Sequence, residues 1–337
     1  MEVVHGLQDI PTARRPLVVA LGTFDGVHRG HQALIAAARR RADALGGSCA
    51  VVTFDPHPQK VLHPQTGAIL LTTLDERLAL LADLGVDLVV VVRFDDALRQ
   101  TPPDRWVRML VERLRMAEVV CGPDYTFGRD RAGDVGMLRV LGAQLGFRVE
   151  VADPVVIDGE RVSSSRIRDL LREGRVTDAA RLLGWWYAVT GRVIRGDGRG
   201  RQLGFPTVNL EVAPDKLLPA PGIYAGTCRT PQGIHPAAIS LGTRPTFGPG
   251  RLQVEGYLLG FEGDLYDRTV SLAVAARLRD EEAFPTVEAL VAQMAADVSA
   301  VPAALARAAA AAGLPALSPE AVREPSGRDA PEPPDPP

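Results

Sequence analysis

The sequence predicts an α/β protein made of two unlike parts. The first is a doubly wound parallel sheet, and the second is a small antiparallel barrel or sandwich with a C-terminal helix. Three observations predict it. From residue 17 to 184, short apolar runs alternate with amphipathic patterns. After about residue 185, short β-type segments follow one another directly. No repeat relates the two stretches.

The runs "PLVVALG", "CAVVTF", "DLVVVVRF" and "AEVVCG" are continuously apolar rather than alternating. Parallel strands covered on both faces read that way. Between them, "HQALIAAARRRADAL", "DERLALLADLG", "PDRWVRMLVERL" and "VGMLRVLGAQLG" have helical spacing. Such alternation implies right-handed crossovers, with ligands bound beyond the carboxyl ends of the strands. The later segments are "WYAVTGRVIRG", "GIYAGTCRT", "IHPAAISLG", "LQVEGYLLGF" and "TVSLAVAARL", punctuated by Gly, Pro and Asp. They suit a small all-β unit. Thr286 is expected to open the helix "TVEALVAQMAADV", and Pro302 to interrupt the helical pattern that follows. The end of the chain is Pro-rich and charged with few apolar anchors, which predicts disorder. The expected division is 1–184, 185–312 and a tail at 313–337.

Composition narrows the function. A formal net charge of −3 argues against a general nucleic-acid coat. Among 38 basic residues only Lys60 and Lys216 are lysines, and neither follows a glycine. A Gly-Lys-Ser/Thr phosphate loop is therefore excluded. Cys49, Cys121 and Cys228 are scattered without metal-ligand spacing, and read as buried free thiols in a reducing cytosol. No basic start leads into a long apolar stretch, and no run approaches membrane-spanning length. A cytoplasmic protein without a membrane or nucleic-acid partner is the expectation, as a monomer or weak homo-oligomer.

The stretch "LGTFDGVHRGHQALI", 21–35, lies between the first expected strand and helix. Gly22, Gly26 and Gly30 let a ligand approach the backbone closely. A helix N-terminus attracts phosphate through its free amides and its dipole. His28 and His31 add side-chain donors there, suited to charge that builds up during phosphoryl transfer. Alternatively, His28 caps the helix and His31 faces solvent. Downstream, "RVSSSRIRDLL", 161–171, places three serines before a helix carrying Arg166 and Arg168. These are either helix caps or part of a polyphosphate cradle.

The second candidate site is "VIRGDGRGRQLGFPTVNL", 193–210, a loop of glycines and arginines running into a strand. Such a loop can bind anions. Thr207 and Asn209 are two apart and share a strand face. Their hard oxygens suit Mg²⁺, which takes its other ligands from water and substrate phosphates. A Gly-rich hairpin with an ordinary polar strand face would look the same.

These residues carry a family resemblance. "GTFDGVHRGH" matches the His-x-Gly-His turn of the nucleotidyltransferase superfamily, and "VSSSRIR" is similar to its Ile-Ser-Ser-Thr-x-x-Arg motif. Together with "TFDPHP" (53–58) and "GPDYTFGRDRAGD" (122–134), the wording resembles the FAD synthetase half of bacterial bifunctional riboflavin kinase/FMN adenylyltransferases. The resemblance implies that the turn, Gly22, Thr23, Phe24, Asp25 and Gly30, holds ATP, with His28 and His31 on its phosphates. Ser164, Ser165 and Arg168 would complete the cradle. Asp55, His57, Asp124, Phe127, Gly128 and Arg131 would lie near the flavin. Pro123, Tyr125 and Thr126 depart from the family's usual wording.

In the second half, "GDGRGRQLGFPTVNL", "PGIYAG", "SLGTRPTFG" and "RLRDEEAFPTVEALVAQMAAD" resemble the riboflavin kinase half in the same order. That implies a six-stranded barrel, with Thr207 and Asn209 on Mg²⁺. Gly198, Arg199, Gly200, Arg201 and Gly204 would cover ATP, and Arg279 and Phe284 would lie near riboflavin. Glu255 in "VEGYLLGF" would be the catalytic base. Arg244, Gly256, Tyr257 and Gly260 depart from the family pattern, and the glycines predict a looser strand. The implied activity makes FMN from riboflavin and ATP, then FAD from FMN and ATP. A single-activity adenylyltransferase would not need the unrelated second half. A flavin sensor or carrier with inactive sites would not need this complete set of catalytic side chains.

Overall fold

The computed structural model describes residues 1–8, 10, 16–63, 69–243 and 252–315. The first half runs β1 (Glu2–His5), β2 (Leu17–Leu21), α1 (Arg29–Ala44), β3 (Ser48–Asp55), α2 (Pro58–Leu62), α3 (Leu74–Asp83) and β4 (Leu88–Arg93). It continues through α4 (Asp96–Arg99), α5 (Pro103–Leu114), β5 (Met116–Cys121), α6 (Val135–Leu145) and β6 (Arg148–Val151). A short hairpin, β7 (Val156–Ile157) and β8 (Glu160–Arg161), then leads into α7 (Ser164–Arg172) and α8 (Val176–Leu183).

The six parallel strands have the order β1-β4-β3-β2-β5-β6. The four apolar runs of the sequence are the four central strands. Two strands without a sequence signal, β1 and β6, complete the sheet at its edges, each four residues long with weak apolar patterning. Successive residues of β2 face opposite ways. Val18 and Ala20 pack with Ile35 and Ala38 of α1, while Val19 and Leu21 pack with Trp106 and Leu110 of α5. Because β2 lies between β3 and β5, where the strand order reverses, the turn after it emerges at the switch point.

The second half is a closed barrel of six antiparallel strands, ordered β10-β13-β12-β11-β14-β9. Its elements are β9 (Ala188–Ile194), α9 (Arg199–Gln202), β10 (Thr207–Val212), β11 (Gly222–Thr230), β12 (Gly233–Thr243), β13 (Leu252–Leu258) and β14 (Thr269–Arg279). The last element is α10 (Val287–Ala312), whose N-cap Thr286 accepts a hydrogen bond from Ala289 N at 3.2 Å. The expected interruption at Pro302 does not occur, and one helix runs through it. Proline removes a single helical hydrogen bond there. Val301 and Ala304, buried on either side, pack with Ala225 and hold the helix on the barrel.

Two further expectations change. Part of the Gly/Arg loop is the one-turn helix α9. β13 is continuous through Gly256, which pairs with Val208 and Ile239, while Gly260 lies beyond the strand in a turn with φ +67°. A Cβ on Gly256 would meet Leu272 at 3.1 Å, so its absence makes room for a core leucine rather than loosening the strand. Arg244 and the tail from 316 onward lie outside the described residues.

One apolar cluster crosses between the halves. Ile167 and Leu171 of α7 and Leu182 and Leu183 of α8 belong to the same buried group as Val189, Tyr224, Ile239 and Leu272 of the barrel.

Candidate active sites

The turn after β2 is held by long-range bonds. Gly26 N donates to Thr72 Oγ1 at 3.0 Å, and Trp185 Nε1 donates to Gly26 O at 3.0 Å. Ser164 Oγ donates to Asp25 O at 3.0 Å. The Asp25 carboxylate, 1% exposed, accepts from Leu71 N, Thr72 N and Thr72 Oγ1 at 3.2, 3.0 and 3.2 Å, and also from Arg168. A buried carboxylate needs such donors. Asp25 and Arg168 therefore hold each other, and Arg168 Nε donates to Ile69 O at 3.0 Å. The Phe24 ring is fully buried, so at Phe24 only backbone can reach a ligand.

His28 is the N-cap of α1, its Nδ1 accepting from His31 N at 3.3 Å. Its ring stacks on that of His31 with centroids 3.7 Å apart. Burial pushes the His28 imidazole down to about 4, partly opposed by the Asp25 charge. Burial, then His28 and Arg77, hold His31 well below its ordinary value. Both rings are therefore neutral near pH 7. Because Nδ1 of neutral His28 is an acceptor, its proton sits on Nε2, leaving a donor for a ligand oxygen. His31 Nδ1 is buried without a hydrogen-bond partner. The helix-cap reading of His28 holds, and it leaves the second nitrogen available. His31 is part-buried rather than solvent-facing.

The surrounding residues fall into two groups. His57 caps α2, accepting from Gln59 N at 3.2 Å, and burial lowers it to about 4. The His57 side chain is buried. Asp55 ends β3, at the carboxyl edge of the sheet. In the 122–134 loop, Asp124 pairs with Arg161 and Arg131 Nε donates to Thr126 Oγ1 at 2.9 Å. The Phe127 ring packs into the core, and Gly128 has φ +73°. A Cβ on Gly128 would lie 2.6 Å from Pro103 Cα, so only glycine fits. Ser165 occupies the first turn of α7 beside Ser164.

In the barrel, Val254, Gly256 and Leu258 alternate into the interior. That alternation puts Glu255 and Tyr257 on the other face. Asn209 pairs directly with Glu255 across β10 and β13, and Thr207 pairs with Tyr257. Thr207 Oγ1 donates to Glu255 Oε2 at 3.3 Å. The structure thus brings Thr207, Asn209 and Glu255 onto one patch. The loop presses on it: a Cβ on Gly196 would lie 2.5 Å from Asn209 Nδ2, and one on Gly200 would lie 2.4 Å from Phe205 O. Gly198 and Gly204 have φ +71° and +86°. Arg201 and Thr207 open onto a cavity of about 260 Å³ lined also by Tyr257, Phe261 and Tyr266. Arg199 is exposed. Arg279 forms a bidentate pair with Asp297 of α10, its Nη2 at 2.8 Å from Oδ2, and stacks over Phe284 at 5.6 Å.

Sequence reasoning missed the supports of the first site. Thr72 and Trp185 touch the turn, and Arg77 is buried near it, donating to Thr53 Oγ1 at 3.1 Å. These residues are distant in sequence from the turn, and no local pattern marks them.

The two places put the chain among the phosphorus-group transferases. Comparisons with known proteins narrow this. A family model described as FAD synthetase matches residues 10–166, and one described as riboflavin kinase matches residues 183–305. A bifunctional riboflavin kinase/FMN adenylyltransferase from Pseudomonas fluorescens is 38% identical over 302 residues, covering 89% of this chain and 96% of that protein. Its counterpart from Escherichia coli K12 is 33% identical, covering 88% and 96%. A solved structure from Streptococcus pneumoniae, described as a macrolide-efflux protein, has 29% identity and a TM-score of 0.82, covering 90% of this chain and 99% of that one. The chain belongs to the family of bifunctional riboflavin kinase/FMN adenylyltransferases.

Proposed function

We infer that the chain converts riboflavin to FMN and FMN to FAD, consuming ATP in both steps. The observation that carries this is the presence of both family units in one chain, in the order of relatives matched over 96% of their length. In the barrel, the riboflavin 5′-hydroxyl gives its proton to Glu255 as it attacks the γ-phosphorus of ATP, and ADP leaves. At the His turn, an FMN phosphate oxygen attacks the α-phosphorus of a second ATP, and pyrophosphate leaves. His28 and His31 donate hydrogen bonds to the oxygens where charge develops, assisted by the α1 amides. Ser164, Ser165 and Arg168 complete the phosphate cradle. The loop around Asp124, Gly128 and Arg131 borders the flavin, as do Asp55 and His57.

Thr207 and Asn209 are the proposed Mg²⁺ residues. A hydroxyl and an amide oxygen beside a carboxylate are hard donors that fit this ion. When bound, Mg²⁺ neutralises phosphate charge. The protein's own part is to orient ATP beneath the Gly198–Gly204 loop, seat riboflavin near Arg279 and Phe284, and place Glu255 at the hydroxyl.

We place the functional division at 1–184, 185–312 and 313–337, and both reactions in the cytoplasm. Support for the location comes from three buried free thiols, with burial pushing Cys49 and Cys228 up to about 12 and Cys121 to about 11. Small soluble substrates require neither a membrane nor a nucleic-acid partner, and the chain works as a monomer or weak homo-oligomer. The efflux description of the Streptococcus protein does not transfer. Among the described residues one helix, α10, is long and apolar enough to span a membrane, and it packs against the barrel.

The test is incubation with riboflavin and ATP, followed by chromatography. FMN and then FAD should form, with ADP and pyrophosphate. FMN alone, or FAD only from added FMN, would reduce the chain to a single activity. Neither product would leave a flavin carrier.

A further inference from the structure

In a chain with 38 basic residues, both lysines lie at the junction of the two halves. Lys60 of α2 pairs with Asp215, which follows β10 of the barrel. Lys216, also from the barrel, reaches into the first half. Its side chain is 0% exposed, and Nζ donates to Leu71 O at 2.7 Å and to Glu76 Oε2 at 2.7 Å. Nζ also lies 4.4 Å from the centroid of the Tyr187 ring. The backbones are paired at the same point, Leu70 N to Asp215 O at 2.7 Å and Leu217 N to Leu70 O at 2.8 Å.

The segment so held backs the His turn. Leu71 N and Thr72 N donate to Asp25, and Thr72 Oγ1 accepts from Gly26 N. Asp25 in turn holds Arg168. Glu76 closes a capping box with Thr73, which fixes the start of α3 just beyond. Buried ammonium, carbonyl, carboxylate and turn thus form one continuous set of hydrogen bonds across the halves.

We propose that Lys216, a residue of the kinase barrel, is a positioning residue for the adenylyltransferase site, acting through Leu71, Thr72 and Asp25 on the turn and on Arg168. The proposal rests on the reading of that site given above. A methionine at 216 fills similar volume but cannot donate to Leu71 O, so only the backbone pairing at Leu70 still holds the segment and the donors to Asp25 at Leu71 and Thr72 are less firmly placed.

The experiment uses the full chain, with two assays on one preparation: FAD from FMN and ATP, and FMN from riboflavin and ATP. In Lys216→Met the KM for ATP in FAD formation should rise about 10–100-fold, the scale of a misplaced binding group. Riboflavin phosphorylation should stay within about twofold, since Lys216 lies outside that site. A merely structural role would lower the active fraction, depressing both kcat values and leaving KM for ATP unchanged. That result would overturn the proposal. The double variant Glu76→Gln/Lys216→Met removes the buried carboxylate charge and serves also where the single variant fails to fold. A KM for ATP still raised in it supports the anchoring bond, and a return to the wild-type KM overturns it. Wild-type protein that makes no FAD from FMN would refute the adenylyltransferase reading itself, and with it the proposal.

Discussion

At the His turn His28 is buried and His31 part-buried, and the backbone that carries them is tied to residues 71–72, to α7 and to Trp185. In the barrel, Thr207, Asn209 and Glu255 stand on two directly paired strands, beneath a loop that is mostly exposed from Arg195 to Gln202. The strand pair supplies its own geometry, because register alone puts Asn209 opposite Glu255. The turn supplies almost none. It borrows its shape from segments distant in sequence, including part of the other half. A site built on strands is therefore sensitive mainly to its own side chains. A site built on a turn is sensitive also to its supports and to the protonation of its buried histidines.

That contrast is tested most strongly at Glu255. Glu255→Gln keeps the shape and removes the proposed base, with an expected loss of about 10²–10⁴-fold in kinase kcat. Riboflavin KM and FAD formation from FMN should not change. Wild-type phosphorylation by this variant would move the base elsewhere.

At the turn, His31→Ala should reduce FMN adenylylation by roughly 2.7–4 kcal/mol of transition-state stabilisation. Riboflavin phosphorylation should stay near normal. Equal loss of both activities, with a lowered melting temperature, would mean that the His31 ring is structural.

A pH titration sharpens the contrast without mutation. His28 and His57 are each lowered to about 4 in the folded chain, chiefly by burial. The unfolded chain, with histidine near 6.5, binds more protons between those values. Stability is thus fully present above about pH 6.5 and is lost as pH falls toward 4, by up to about 1.4 kcal/mol per pH unit for each histidine. Denaturant unfolding at pH 7, 6 and 5 measures the slope. A His57→Gln variant should flatten it, and an unchanged slope would remove His57 from the account.

The smallest effect belongs to the C-terminus. Deleting 316–337 should change either activity by less than about twofold, because so Pro-rich and charged a segment has little apolar surface to bury. A large loss in one assay would tie the segment to that site.

Much of this was legible in the sequence because it is local. Continuous apolar runs mark strands covered on both faces, and the spacing of His28 and His31 around Gly30 marks the head of a helix. Thr286 caps its helix as its position implies. Thr207 and Asn209 share a face because strand periodicity is two. Where local reasoning failed, packing had the larger effect. Burial on the barrel outweighs the single hydrogen bond lost at Pro302, and room for Leu272 explains Gly256.

By itself, then, the sequence determined the two halves, their order and the residue types of both candidate sites, since periodicity and motif spacing are properties of neighbours along the chain. Only the tertiary structure decided that Asp25 is a buried strut for Arg168, that His28 and His31 stack, that Asn209 faces Glu255, and that Lys216 of the barrel anchors the segment behind the turn. Apart from the histidine stack, whose partners are neighbours at the head of α1, each of those pairs residues whose separation along the chain carries no signal. Their meeting is set by how apolar faces close on one another and by the need of every buried charge for a partner.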